Sequence, residues 1–421
     1  MKGVLVVPNV TMHGWNCYAR EGRRHNSLPH GLLSVATEAN RNGHHVTIVD
    51  LRRHKCIEDA VNDTLLRDPE FVGVGAMTVD FPVACDYLKR LKEKARHVTT
   101  VMGGVHVSIK PEDAEKKAQI DYILTGEGEW TLCDMLRDYF VGYERVVAGE
   151  PPDLDALLPI DRELIDYRGG ELYHGGQWHS AYPFVTVMVG RGCPHKCAFC
   201  YPVSDTVFGP KVRIRSVAHV MMELKHLTRQ YHPAYIEFID DLFTLRRKWV
   251  EEFIREYPKV CGGIPFNVAC RADIIVKRPA MFEALRGIGL DTVNVGLESG
   301  CQRHLDYLEK GTTVEQNYEA CRTLKRLGCR IVGNIIHGIP GETPSETMQT
   351  VRLVKDCDVD YYSPAFLTPY PGCKLHETLG KDLVPSDYAQ MNRHAKDAKI
   401  EGVEYDAIMT ILKAEFPKAF K

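Results

Sequence analysis

The stretch Val189-Gly190-Arg191-Gly192-Cys193-Pro194-His195-Lys196-Cys197-Ala198-Phe199-Cys200-Tyr201 gathers three of the chain's fourteen cysteines into eight positions. Flanking glycines, a proline and charges make this a poor core segment. Thiolates separated by three and then by two residues can wrap one face of a cubane iron–sulfur cluster, so Cys193, Cys197 and Cys200 are read as metal ligands. Three ligands leave the fourth iron without a protein donor, and a substrate can bind there directly. Zinc is the competing occupant, but a closed zinc site needs a fourth ligand. His195 lies inside the loop, and Cys357 and Cys373 are too far apart to form a second pair. Most other cysteines, such as Cys85, Cys270 and Cys321, sit singly among apolar residues and read as small buried hydrophobes.

The loop follows an apolar run at residues 184–189, the first of six strand candidates. The others are 235–239, 265–269, 292–296, 330–336 and 361–366, with helical patterns at 217–231, 248–257, 279–288, 314–327 and 344–355. In the first helix Val220, Leu224, Leu227 and Tyr231 fall on one face. Six strand–helix repeats predict an incomplete α/β barrel, a partial (β/α)6, whose chemistry sits at the carboxyl ends of the strands. The cysteine loop then lies on its open rim.

Upstream, strands are expected at 4–8, 45–49, 71–76, 99–103 and 121–124, with helices at 31–41, 57–66, 83–95, 111–117 and 129–139. This alternation predicts a Rossmann-like parallel sheet covered on both faces. Ligands of such sheets bind at the carboxyl strand ends. Those ends carry Pro8-Asn9-Val10, Ala76-Met77-Thr78, Gly103-Gly104-Val105-His106 and Gly126-Glu127-Gly128-Glu129. The glycines let backbone approach a large flat ligand, although plain turns would use them too. The expected division is 1–149 for this domain, 150–180 for a Pro- and Asp-rich linker, 181–374 for the barrel and 375–421 for a substrate-shaping tail. Helical signals in the tail fall near 385–398 and 406–416.

A chain of 421 residues, 44% hydrophobic and 26% charged, fits two or three soluble domains. With 53 basic against 56 acidic residues, the charge of −3 gives no general field for nucleic acid or an acidic membrane. No apolar run reaches the ~18–20 residues that span a bilayer. The N-terminal run is too short for a signal peptide, so a cytoplasmic location is expected. Fourteen cysteines spread over this length do not make a disulfide framework.

The Cys-x-x-x-Cys-x-x-Cys loop resembles the signature of radical S-adenosylmethionine enzymes. In that family the open iron of a [4Fe–4S] cluster chelates S-adenosylmethionine, whose cleavage yields a hydrogen-abstracting 5′-deoxyadenosyl radical. The resemblance implies that Phe199 and Tyr201 border adenine, Asp240 and Asp241 face the methionine end, and Arg271 meets its carboxylate. It implies that Glu298 reaches the ribose or amino group, and that Asn334, Gly338 and Pro340 belong to the turn that packs on adenine. Taken singly, Asp240-Asp241 also reads as a helix cap, Arg271 with Glu298 as an ion pair, and Gly338 to Gly341 as a turn. Tyr370, at the sixth strand end, is a candidate substrate contact or hydrogen donor, with core packing as its alternative.

The N-terminal unit resembles the cobalamin-binding domain that precedes the radical domain in one large subclass. That implies bound cobalamin (methylcobalamin) contacted by Met12, His13, Thr78, Gly103, Gly104, His106, Gly126, Glu127 and Gly128. The Asp-x-His-x-x-Gly loop of many cobalamin proteins is absent, so a base-off cofactor is expected, with His13 and His106 as candidates to approach cobalt. Together the cofactors imply a C-methyltransferase acting on an unactivated carbon, and an electron donor such as ferredoxin or flavodoxin. The alternative is a radical dehydratase or cyclase of the same architecture. The substrate expected is a protein or peptide side chain, with the glutamine of methyl-coenzyme M reductase as the specific guess.

Overall fold

The computed structural model describes residues 1–8, 28–165, 183–200, 206–209, 211–379, 388, 391, 400–417 and 419. The expected contacts Met12, His13 and Tyr201, and most of the expected helix at 385–398, lie outside the described residues.

Six strands form the first sheet: β1 (Lys2–Val7), β2 (His45–Asp50), β3 (Phe71–Gly75), β4 (Thr99–Gly103), β5 (Tyr122–Thr125) and β6 (Val146–Ala148). They run parallel in the order β2-β1-β3-β4-β5-β6. Runs such as Val4-Leu5-Val6-Val7 are buried along their whole length, as a sheet covered on both faces requires. The three-residue edge strand β6 was not among the expected strands. It is half exposed and too short to show a pattern.

The second sheet holds β7 (Phe184–Val187), β10 (Tyr235–Phe238), β11 (Phe266–Arg271), β12 (Leu290–Glu298), β13 (Arg330–His337) and β14 (Tyr361–Phe366). A small antiparallel hairpin, β8 (Gly190–Arg191) with β9 (Arg213–Ile214), stands between β7 and β10. The large sheet is parallel, in the order β14-β13-β12-β11-β10-β7, and open, as the incomplete-barrel reading expects. One face buries Ile236, Phe238, Val268, Val293, Val295 and Ile331 against helical side chains including Val220, Leu224, Phe253 and Leu324. Strand alternation turns Glu237, Asn267, Asn294, Asn334 and Ser363 toward the other, concave face. Helix starts follow from caps: Ser216 accepts from the His219 N–H, while Thr313 with Gln316 and Thr343 with Glu346 form capping boxes.

The segment before β7 straps the two sheets together. Leu158 N–H donates to Glu38 Oε1 at 2.7 Å and Asp161 N–H to Thr37 Oγ1 at 2.8 Å, both on the first helix, His30–Arg41. Arg162 Nη2 then donates to the Thr186 carbonyl on β7 at 2.7 Å. Among the described residues no helix is long and apolar enough to cross a membrane.

Candidate active site

The cysteine loop leaves β8 and is fixed at both ends. Asp240, just past β10, accepts the Val189 N–H at 3.0 Å and the Gly190 N–H at 2.6 Å. Burial pushes its carboxyl up to about 7 against the pull of those two donors. Asp240 was expected to face the methionine end; the structure corrects this, since its oxygens anchor the strand that launches the loop. The neighbouring Asp241 is exposed and stays open to a ligand. Further along, the Ala198 N–H donates to the Leu308 carbonyl at 2.9 Å, and the Ala198 carbonyl accepts from Leu375 N–H at 3.0 Å. Cys193 and Cys197 are half-buried and Cys200 is exposed, so the thiols border an open space rather than a core. Burial, with the Asp241 charge as a further contribution, raises the Cys193 thiol above its ordinary range. A thiolate tripod here would therefore need a cation, such as cluster iron would supply.

Two basic groups, Arg271 and Lys310, converge on this loop. Arg271, at the end of β11, is held by Asp273 Oδ1 at 2.9 Å and the Lys310 carbonyl at 2.6 Å, with Nη1 3.7 Å from Cys197 Sγ. Arg271 and Glu298 do not form the ion pair that the sequence also allowed. Glu298 instead takes Lys310 Nζ at 2.6 Å, and that ammonium lies 5.7 Å from the Phe199 ring centre. Glu298 sits where the β12–β13 register shifts and has φ +58°, a strained position that re-aims its side chain. Lys310 escaped sequence reading because only the fold brings it to Glu298.

The turn after β13 is knotted by Glu342, which accepts from Gly338 N–H at 2.7 Å, Ile339 N–H at 3.1 Å and Thr347 Oγ1 at 2.8 Å. Gly338 is thereby fixed, and the Pro340 carbonyl accepts from Arg303 at 3.3 Å. Asn334 lies on the concave face of β13, level with Ser363. Tyr370 packs beside Val79, Tyr388 and Met391, so it joins the seam with the first sheet.

At the first sheet, Met77 just past β3 is exposed and Gly103, Gly104 and Gly126 lie at the ends of β4 and β5, an edge poor in side chains that suits a flat macrocycle. Gly104 has φ +96°, and a Cβ there would lie 2.7 Å from the Ala76 backbone nitrogen. Gly128 packs against Leu124 and Val35. Two expected cofactor contacts are corrected. His106 is wholly buried, with ring centres of Phe81 and Tyr388 at 4.2 and 4.8 Å, and its Nδ1 lies 3.3 Å from Thr78 Oγ1. Burial pushes it to about 4, so it is a neutral core residue and not an accessible metal ligand. Glu127 is ion-paired to both Arg191 and Arg213, while Glu129 pairs with Arg191 at 2.6 Å and accepts from Ser34. The Gly126-Glu127-Gly128-Glu129 turn is thus clamped to the hairpin that carries the cysteine loop.

Residues 187–354 match the radical SAM superfamily, and residues 24–136 match the B12 binding domain. An uncharacterized methyltransferase of Pyrococcus horikoshii is 32% identical over 375 residues, covering 83% of this chain and 78% of the relative. An anaerobic magnesium-protoporphyrin IX monomethyl ester cyclase of Rubrivivax gelatinosus is 28% identical over 370 residues, covering 82% of this chain and 65% of the relative. The chain therefore spans slightly less than two thirds of that cyclase. Among solved structures, the radical S-adenosylmethionine methyltransferase TsrM of Kitasatospora setae, with cobalamin and [4Fe-4S] cluster bound, shares the fold. The TM-score is 0.73 at 18% identity, over 100% of this chain and 92% of that one. The cobalamin-dependent S-adenosylmethionine radical enzyme OxsB gives 0.68 at 17% identity, over 99% of this chain and 61% of that one.

The chain belongs to the cobalamin-dependent radical S-adenosylmethionine family and is an enzyme of its methyltransferase class. Its cofactors are a [4Fe–4S] cluster, S-adenosylmethionine and cobalamin.

Proposed function

We propose that this enzyme forms a carbon–methyl bond at an unactivated carbon of a substrate held in the concave half-barrel. When bound, the cluster with S-adenosylmethionine supplies a hydrogen-abstracting radical, and cobalamin supplies the methyl group. The observation that carries the reading is the clamp between the two sheets. Arg191, two positions before Cys193, is buried against Glu127 and Glu129 from the glycine turn of the first sheet. That clamp would hold a cluster rim and a cobalamin shelf at one seam.

Cys193, Cys197 and Cys200 would hold the cluster. Arg271 and Asp241 would orient the amino-acid end of S-adenosylmethionine, Glu298 with Lys310 its ribose or amino group, and Phe199, Asn334 and the Gly338 turn its adenine. Residues 1–149 would serve cobalamin, 181–374 the radical chemistry, and 375–421 the substrate, with Tyr370 at the seam. A ferredoxin or flavodoxin would deliver the electron. No described residue singles out the glutamine of methyl-coenzyme M reductase, so the proposed reaction is C-methylation as a class.

Anaerobic turnover of the reconstituted enzyme with substrate should release 5′-deoxyadenosine and S-adenosylhomocysteine in equal amounts. Deoxyadenosine without S-adenosylhomocysteine would replace this reading with a cyclase or dehydratase, the activity of the Rubrivivax relative being of the first kind.

A further inference from the structure

The concave face of the second sheet carries polar groups that the cofactor sites leave unused. Glu237 on β10 pairs in register with Asn267 on β11, and Asn294 on β12 pairs with Ala269 on β11. Their strand neighbours Ile236, Phe238, Val268, Val293 and Val295 fill the opposite, helix-covered face, so these polar side chains look into the half-barrel.

The charges at the amino-terminal end of the sheet are already spoken for. Arg330 pairs with Asp291 and donates to the Tyr361 hydroxyl at 3.1 Å, and the Tyr235 hydroxyl donates to Asp291 at 3.1 Å. Glu237 is different. Asn267 Oδ1 accepts the Phe238 N–H at 3.0 Å, which leaves the amide NH2 of Asn267 to face the Glu237 carboxyl. No charged group among the described residues offsets this acid, and burial pushes it up to about 7. Farther up the sheet, Asn294 Oδ1 is a buried acceptor with no hydrogen-bond partner. A carboxyl lacking a cation and an acceptor lacking a donor are both costly, and each is satisfied by the same kind of ligand. The two stand two strands apart, roughly 10 Å across the sheet.

We propose that the half-barrel is a subsite for an amine-bearing substrate, whose protonated amino group pairs with Glu237 while a second N–H or O–H donor reaches Asn294. This rests on the C-methylation reading only in taking the half-barrel as the substrate chamber. It narrows the substrate to a polar, cationic metabolite with donors at its two ends, and sets aside acidic and wholly apolar ones.

Binding, not turnover, tests it. Glucosamine and 1,4-diaminobutane are each compared with the N-acetyl counterpart by equilibrium dialysis on anaerobic holoenzyme with S-adenosylmethionine present. A charge-assisted pair predicts that the amines bind about tenfold or more tighter than the acetylated forms. Glu237→Gln should abolish that preference, and Asn294→Ala should weaken both amines, while the cluster's spectral response to S-adenosylmethionine is unchanged. Equal binding of amine and acetyl forms to the unmodified enzyme overturns the proposal, as does a preference that survives Glu237→Gln; the first arm needs no variant to fold. A failed product ratio with the amine preference intact would instead overturn the reaction and leave the subsite standing.

Discussion

A methyl group added at Gly296 would lie 2.6 Å from Glu298 Oε1 and 2.7 Å from Lys310 Nζ. Gly296→Ala therefore has to push the carboxylate–ammonium pair off its position, at a cost of about 1–3 kcal/mol. The expected outcome is at least about tenfold weaker S-adenosylmethionine binding, with cysteine-bound iron content unchanged; calorimetric titration of the reconstituted enzyme checks it. Unaltered affinity would show that the pair does not contact this ligand. A second residue-scale consequence concerns acid. Burial pushes His30 down to about 3 and His106 to about 4, so both are neutral in the folded state. Below the ordinary histidine value of 6.5 the unfolded chain binds the extra protons, so this contribution to stability is present at neutral pH and lost as pH falls from 6.5 toward 4. Between pH 7.5 and 5 each histidine should account for roughly 2 kcal/mol of lost stability. Denaturant titrations at several pH values measure the slope, and His106→Gln should remove about one proton from it. The cysteine motif was legible in sequence because its spacing alone suggests its chemistry. His106 was not, since only the fold shows that Phe81 and Tyr388 close over it.

The turn after β13 shows how an element is held by one side chain. Glu342 is 3% exposed and satisfies two backbone N–H groups and a hydroxyl. Glu342→Ala strands all three donors, and a loss of about 3–5 kcal/mol is expected from comparable buried charges. Chemical denaturation should show it, together with a raised KM for S-adenosylmethionine, because the Gly338 turn loses its shape. A stability change below about 1 kcal/mol would contradict the knot. The six strands of the half-barrel were readable because each is an apolar run between helices with their own periodicity. The hairpin β8–β9 and the edge strand β6 were not, for two- and three-residue strands carry no alternation. The bulge at Glu298 was equally hidden, since a register shift exists only between strands.

At the scale of the whole molecule, the two sheets meet through charges buried between them. Arg191 pairs with Glu127 and Glu129, and Arg213 pairs with Glu127 as well. Arg191→Ala leaves acidic groups facing each other in a desolvated seam and should cost about 3–5 kcal/mol. Unfolding should then separate into two transitions, and limited proteolysis should cut residues 150–165 faster. A single unshifted transition would mean that the seam is held elsewhere. The sequence announced two α/β units and the resemblance named their cofactors. The seam itself could not be read, because Arg191 and Glu127 are 64 residues apart and Glu127 reads in sequence as a cofactor contact rather than as a partner of Arg191. All of this depends on the thiol tripod of Cys193, Cys197 and Cys200 leaving one iron open to S-adenosylmethionine. Pulsed electron–nuclear double resonance on the reduced cluster, with S-adenosylmethionine labelled at its carboxylate, measures that bond directly. An open iron that takes the carboxylate predicts a strong coupling between the label and the cluster; absence of any coupling, or tetrahedral zinc in place of iron, would contradict it.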